Sequence, residues 1–113
     1  MIKVVIFINK DIYKARATIA KALANETRLQ IIDILGQKGE HCVCELTEIL
    51  GVSQPTVSKH LKVLKNAGLI DFRKEGLKVT YFLRTPCVSG FFGCLDKVLQ
   101  EDLKRKQQEL GIN

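Results

Sequence analysis

At 113 residues, 46% of them hydrophobic, the chain can bury one core but cannot divide it among several domains, and its apolar content excludes global disorder. Eighteen Lys and Arg against 12 Asp and Glu give a formal charge of +6, which favours a polyanionic partner. Four cysteines are too sparse for a disulfide scaffold and no apolar run can span a bilayer, so metal or redox chemistry of reduced thiols in a cytoplasm is expected.

In chain order, residues 2–8 (IKVVIFI) are β-branched and aromatic and predict a short strand, followed by a turn at Asn9–Asp11. From Ile12 to Ala24 the apolar positions Ile12, Ala15, Ile19, Ala22 and Leu23 recur at helical spacing. Asn25 is a suitable N-cap for a second helix through Leu35, with Glu26 placed favourably for the helix dipole. Leu29, Ile32, Ile34 and Leu35 give that helix an apolar side, and Gly36 and Gly39 are expected to end it. A short third helix is expected from Cys42–Cys44 to Leu50, followed by a tight turn at Gly51.

Ser53 then N-caps a fourth helix, with Pro55 in the first turn, where its missing N–H costs little. Val57, Leu61 and Leu64 recur at i, i+4 and i+7 and face inward, which turns Ser58, Lys59 and Lys62 outward. Asn66-Ala67-Gly68 closes this helix. After Gly68 the period changes to that of two short strands, Leu69–Lys74 and Lys78–Arg84, around a turn at Glu75-Gly76-Leu77. Beyond Pro86, a long helix from about Ser89 to Leu110 carries Phe92, Leu95, Leu99 and Leu103 along one side.

Four helices followed by a basic hairpin and a fifth helix form the layout of a winged helix-turn-helix, mainly α with a small β-hairpin wing. The fourth helix suits a DNA major groove. Ser53, Gln54, Thr56 and Ser58 in its first turns can bond base edges or phosphates, and Gln pairs well with adenine. Lys59 and Lys62 on the helix, with Arg73, Lys74 and Lys78 on the wing, are candidates for phosphate contacts, and His60 for a contact at the helix edge. Taken singly, the lysines read as a solvated helix face and Gln54 and Thr56 as ordinary helix-start residues. Their concentration on one capped helix beside a basic hairpin is what points to DNA.

The strings ALANETRLQII, CVCEL and GVSQPTVSKHLKVLKNAGLI resemble the ArsR/SmtB family of metal- and metalloid-responsive repressors over about residues 19–84. The resemblance implies a homodimer, paired through its terminal helices, that binds an inverted-repeat operator and is released by an inducer. One domain over 1–113 is expected, with the helix-turn-helix at about 42–67, the wing at 69–84 and a dimerisation helix at 88–110.

CVCEL is similar to the arsenic-responsive branch, which implies As(III) or Sb(III) as inducer, bound by thiolates at Cys42 and Cys44. Three residues on, where that branch carries a further Cys, this chain has Thr47. Two thiolates still chelate a soft ion, and Cys87 or Cys94 could complete the site from either subunit. Soft divalent metals, Cd(II), Pb(II) or Zn(II), are the alternative inducers, and no obligatory cofactor is expected. His41 beside the pair reads as an exposed loop residue. In a regular helix residues i and i+2 point roughly 200° apart, so joint binding by Cys42 and Cys44 requires a non-helical start to the third helix.

Two other functions fit parts of the pattern. A redox switch would pair Cys42 or Cys44 with Cys87 or Cys94, since a Cys-x-Cys disulfide is a strained ring. A thiol oxidoreductase is disfavoured, because no C-x-x-C, phosphate-binding Gly loop or Cys-His pairing with an orienting group is visible.

Overall fold

The computed structural model describes residues 11–111, so the strand expected at 2–8 lies outside the described residues. Helices α1 (Asp11–Leu23), α2 (Glu26–Lys38), α3 (Val43–Leu50) and α4 (Gln54–Asn66) precede the hairpin β2 (Ile70–Glu75) and β3 (Lys78–Leu83), and α5 (Cys87–Glu109) follows it. A two-residue strand, β1 (His41–Cys42), lies between α2 and α3 and makes a three-stranded sheet in the order β1-β3-β2. The fold is the expected winged helix-turn-helix. The addition of β1 was not legible, because two residues carry no period. No helix among the described residues is long and apolar enough to cross a membrane.

Local signals set most of the boundaries. Asn25 caps α2 by accepting from the Arg28 N–H at 3.1 Å, and the Ser53 hydroxyl caps α4 by accepting from the Thr56 N–H. Gly51 at φ 68° and Gly68 at φ 82° take the left-handed turns after α3 and α4. Gly36 does not end α2, contrary to the sequence expectation. The helix runs on to Lys38 and stops at Gly39, where φ is 83°. Gly36 is instead a close-approach point, since a Cβ there would lie 2.9 Å from the Ser89 Cβ of α5.

The core is built from Ile31, Ile32 and Leu35 of α2, Leu46 of α3, and Val57, Leu61 and Leu64 of α4, closed by Ala22, Leu69 and Ile70. Ile31 takes the inward place expected for Ile34, which is only half-buried. The 31/32–35 spacing follows the side of α2 that meets α3 and α4. Each fully buried aliphatic side chain contributes about 1.5–3 kcal/mol, so this cluster outweighs any cap or surface pair in holding the helix-turn-helix. The two terminal helices behave differently. Ala22 is the one buried residue of α1, and α5 has none.

Candidate nucleic-acid interface and thiol site

With Val57, Leu61 and Leu64 buried, α4 exposes Gln54, Ser58, Lys59 and Lys62. The helix holds no Asp or Glu, so its outward face is polar and cationic along its whole length. Its N-terminal N–H groups add the positive end of the helix dipole, which suits a phosphate. Two of the expected base readers are partly committed within the protein. The Ser53 hydroxyl caps α4 and lies 2.8 Å from the Thr56 hydroxyl, and Thr56 is half-buried.

His60 sits at the helix edge with Nδ1 3.2 Å from an Arg28 guanidinium nitrogen. Arginine can only donate, so Nδ1 accepts and the ring proton is on Nε2. Burial, then the charges of Arg28 and Lys59, push the His60 pKa below its ordinary value of 6.5. The same guanidinium donates to the Ala22 carbonyl at 2.6 Å and the Lys21 carbonyl at 3.4 Å, so it ties the end of α1 to the reading helix. Sequence reasoning gave Arg28 no role. The residue it serves is 32 positions away, and nothing local marks the pairing.

On the wing, Lys74 and Lys78 are exposed. Arg73, expected to be a third phosphate contact, is engaged in an exposed ion pair across the sheet. Two of its nitrogens each lie 2.5 Å from a Glu40 carboxylate oxygen, and its guanidinium stacks 5.6 Å over the Phe82 ring. This pairing holds the Glu40 carboxyl below its usual range and raises Arg73 above its own. Glu40 was also missed from sequence, since its partner is 33 residues on. Lys65, on the last turn of α4, lies 5.3 Å over the Phe72 ring of the wing.

All four cysteines are free thiols; Cys42 is half-buried and Cys44, Cys87 and Cys94 are exposed. Cys42 is the N-cap residue of α3 with extended backbone, φ −85° and ψ 167°, whereas Cys44 lies in the first helical turn. The start of α3 is therefore non-helical at the point where joint binding requires it. Both cysteines line one pocket of about 250 Å³, walled by Val43 and by Leu77, Lys78 and Val79 of the wing. The Glu45 carboxylate accepts from the Cys42 N–H at 2.9 Å, and that bond is the main reason its pKa falls below the ordinary value.

Cys87 and Cys94 do not line the pocket. Among the described residues of the single chain, no three His, Cys, Asp or Glu side chains gather as a metal site. The Thr47 hydroxyl, where a third local sulfur would stand, donates to the Val43 carbonyl at 2.8 Å. A second concavity, about 460 Å³, opens between α1 and α5 and is lined by Ile19, Leu23, Leu29, Val88, Phe91 and Leu95 among others.

Residues 25–71 match the profile of the bacterial regulatory protein, arsR family. The chain is 49% identical over 90 residues to the arsenical resistance operon repressor of Escherichia coli K12, covering 80% of this chain and 74% of the relative. It is 45% identical over 67 residues to a cadmium resistance transcriptional regulatory protein, a CadC homolog, of Staphylococcus aureus; this match takes in 59% of the chain and spans 55% of that relative. Among solved structures it is similar to a homodimeric winged helix-turn-helix DNA-binding domain from Mycobacterium bovis, a possible ArsR-family transcriptional regulator. That match has 35% identity and a TM-score of 0.72, covering 84% of this chain and 87% of that one.

Proposed function

Because the chain belongs to the ArsR family of transcriptional regulators, whose members bind DNA rather than act as enzymes, we propose that it is a homodimeric repressor released from its operator when As(III) or Sb(III) binds Cys42 and Cys44. The observation that carries this reading is the shared pocket of the two thiols, with Cys42 extended and Cys44 helical. That arrangement lets two sulfurs approach one soft ion without first unwinding a full helical turn. The similarity to an arsenical resistance repressor supports the metalloid. The similarity to a cadmium resistance regulator supports a second reading, a soft divalent metal at the same thiols. Either ion needs further donors, for which Cys87 or Cys94 is proposed, brought in by the second subunit or by movement of α3.

On DNA, Gln54 and Ser58 read base edges in the major groove, with Ser53 and Thr56 at the helix start beside them. Lys59, Lys62, Lys74 and Lys78 bind phosphates. The apolar groove between α1 and α5 and the open stripe of α5 support pairing of two copies through their terminal helices. An inverted-repeat operator follows from the two-fold symmetry of such a pair.

The test is a gel shift on the DNA upstream of the protein's own gene, with arsenite, antimonite, Cd(II), Zn(II) and peroxide in parallel. Arsenite or antimonite is expected to release wild type and to leave the Cys42→Ser/Cys44→Ser variant bound. Normal release of that variant by arsenite would refute the thiol site, and release by Cd(II) alone or by peroxide alone would replace the metalloid with the metal or the redox reading.

A further inference from the structure

The geometry points to Glu40 as a positioning residue that docks the thiol-bearing segment onto the wing, so that inducer capture at Cys42 and Cys44 displaces the wing as well as the reading helix. The inference rests on the thiol-sensor reading above and adds a second output to it.

Three ties join the segment to the wing. First, β1 pairs antiparallel with β3, His41 opposite Tyr81 and Cys42 opposite Thr80. Thr80 is in turn opposite Arg73 on β2, so Cys42, Thr80 and Arg73 form one row across three strands. Side chains in such a row share a face of the sheet. Second, Glu40, the residue before β1, bridges the whole sheet to reach Arg73, with both carboxylate oxygens on two guanidinium nitrogens. Stacking of Arg73 over Phe82 of β3 fixes the plane of that fork. Third, the wing tip itself, Leu77 to Val79, walls the pocket that both cysteines line.

The consequence is mechanical. Bringing two sulfurs onto one ion requires Cys42 or Cys44 to move, because one stands on the sheet and the other on the helix. Movement of Cys42 pulls directly on β3, and movement of Cys44 reshapes the pocket it shares with the wing tip. Lys74 and Lys78 ride on those strands and lose their register against phosphates as the wing shifts. The Glu40–Arg73 pair is exposed, with 41% and 49% of the two side chains accessible, and an exposed pair adds little to stability. Its bidentate form supplies orientation instead, so its removal is expected to weaken coupling severalfold rather than unfold the protein.

The experiment uses the full chain with arsenite as probe. Thiolate–arsenic absorbance in the ultraviolet reads binding, fluorescence anisotropy reads DNA affinity, and hydrogen exchange reads the wing amides at 70–75 and 78–83. Arsenite is expected to speed wing exchange in wild type and not in Cys42→Ser/Cys44→Ser. Glu40→Gln should bind arsenite as wild type does, yet lose severalfold less DNA affinity on binding it. Glu40→Asp, which keeps the carboxylate, should return toward wild type. Unchanged wing exchange with arsenite bound, or full wild-type release in Glu40→Gln, overturns the wing coupling and leaves thiol sensing intact. No arsenite absorbance in wild type overturns the metalloid reading, and the arsenite-driven coupling falls with it.

Discussion

From the first turn of α2, the Arg28 guanidinium reaches back to the end of α1 and donates to the Ala22 and Lys21 carbonyls there while holding His60 of the reading helix. The acceptor role of His60 gives this interaction a pH dependence. The native pKa of His60 lies below the ordinary 6.5, so between those values the unfolded chain binds the proton and the folded one does not. The contribution to stability is complete above about pH 6.5 and declines as pH falls through that window toward the native pKa. Urea unfolding at pH 7.5 and 5.5 should therefore show a loss in wild type that His60→Asn lacks; equal losses would remove His60 as the source. The outward placement of Lys59 and Lys62 was legible because helical phase is a local property. The roles of Arg28, Glu40 and Arg73 were not, since each depends on a partner more than 30 residues away.

Among the elements, α2 carries the sharpest test of packing. Replacing Gly36 by Ala favours the helix locally by about 1 kcal/mol, but the new Cβ meets Ser89 at 2.9 Å. Overpacking costs about 1–3 kcal/mol, so Gly36→Ala is expected to lower the melting temperature despite better helix propensity. A rise would mean that α5 yields freely at this point. Read alone, a glycine near a helix end is a stop signal; only the crossing of α5 shows that this one makes room. On α4 the outward lysines follow directly from the inward Val57–Leu61–Leu64 stripe. Lys59→Ala/Lys62→Ala should weaken operator binding at all sequences. It should also flatten the salt dependence by roughly 0.9 in log–log slope for each phosphate left without its lysine, twice over in a dimer. An unchanged slope in anisotropy titrations would remove these lysines from the interface.

At the scale of the molecule, the radius of gyration is 17.5 Å, against about 13 Å for a compact domain of this length. The excess reflects a long helix that its own chain leaves uncovered beyond its first turns, with Val98, Leu99 and Leu103 between 59% and 66% exposed. Leu99→Glu/Leu103→Glu should shift the protein to monomer in sedimentation and cut DNA affinity by at least about tenfold, since the two copies of the proposed dimer would then bind without avidity. Retention of the dimer in that variant would place the interface elsewhere. The overall architecture was readable because the change from helical to strand period after Gly68 is strong. The small sheet that links thiols to wing was hidden, because β1 is only two residues long.

The uncovered α5 also bears on abundance. Only the first turns of this 23-residue helix pack on its own chain, through Val88 and Phe92, so in the proposed dimer the rest of the helix gains its cover from the second copy, and assembly and ordering of that part draw on one equilibrium. Its thermal midpoint should rise with protein concentration by mass action. For the proposed dimer, the cell's copy number is then a control variable in its own right: dilution alone lowers the fraction of intact dimers and loosens the hold on DNA.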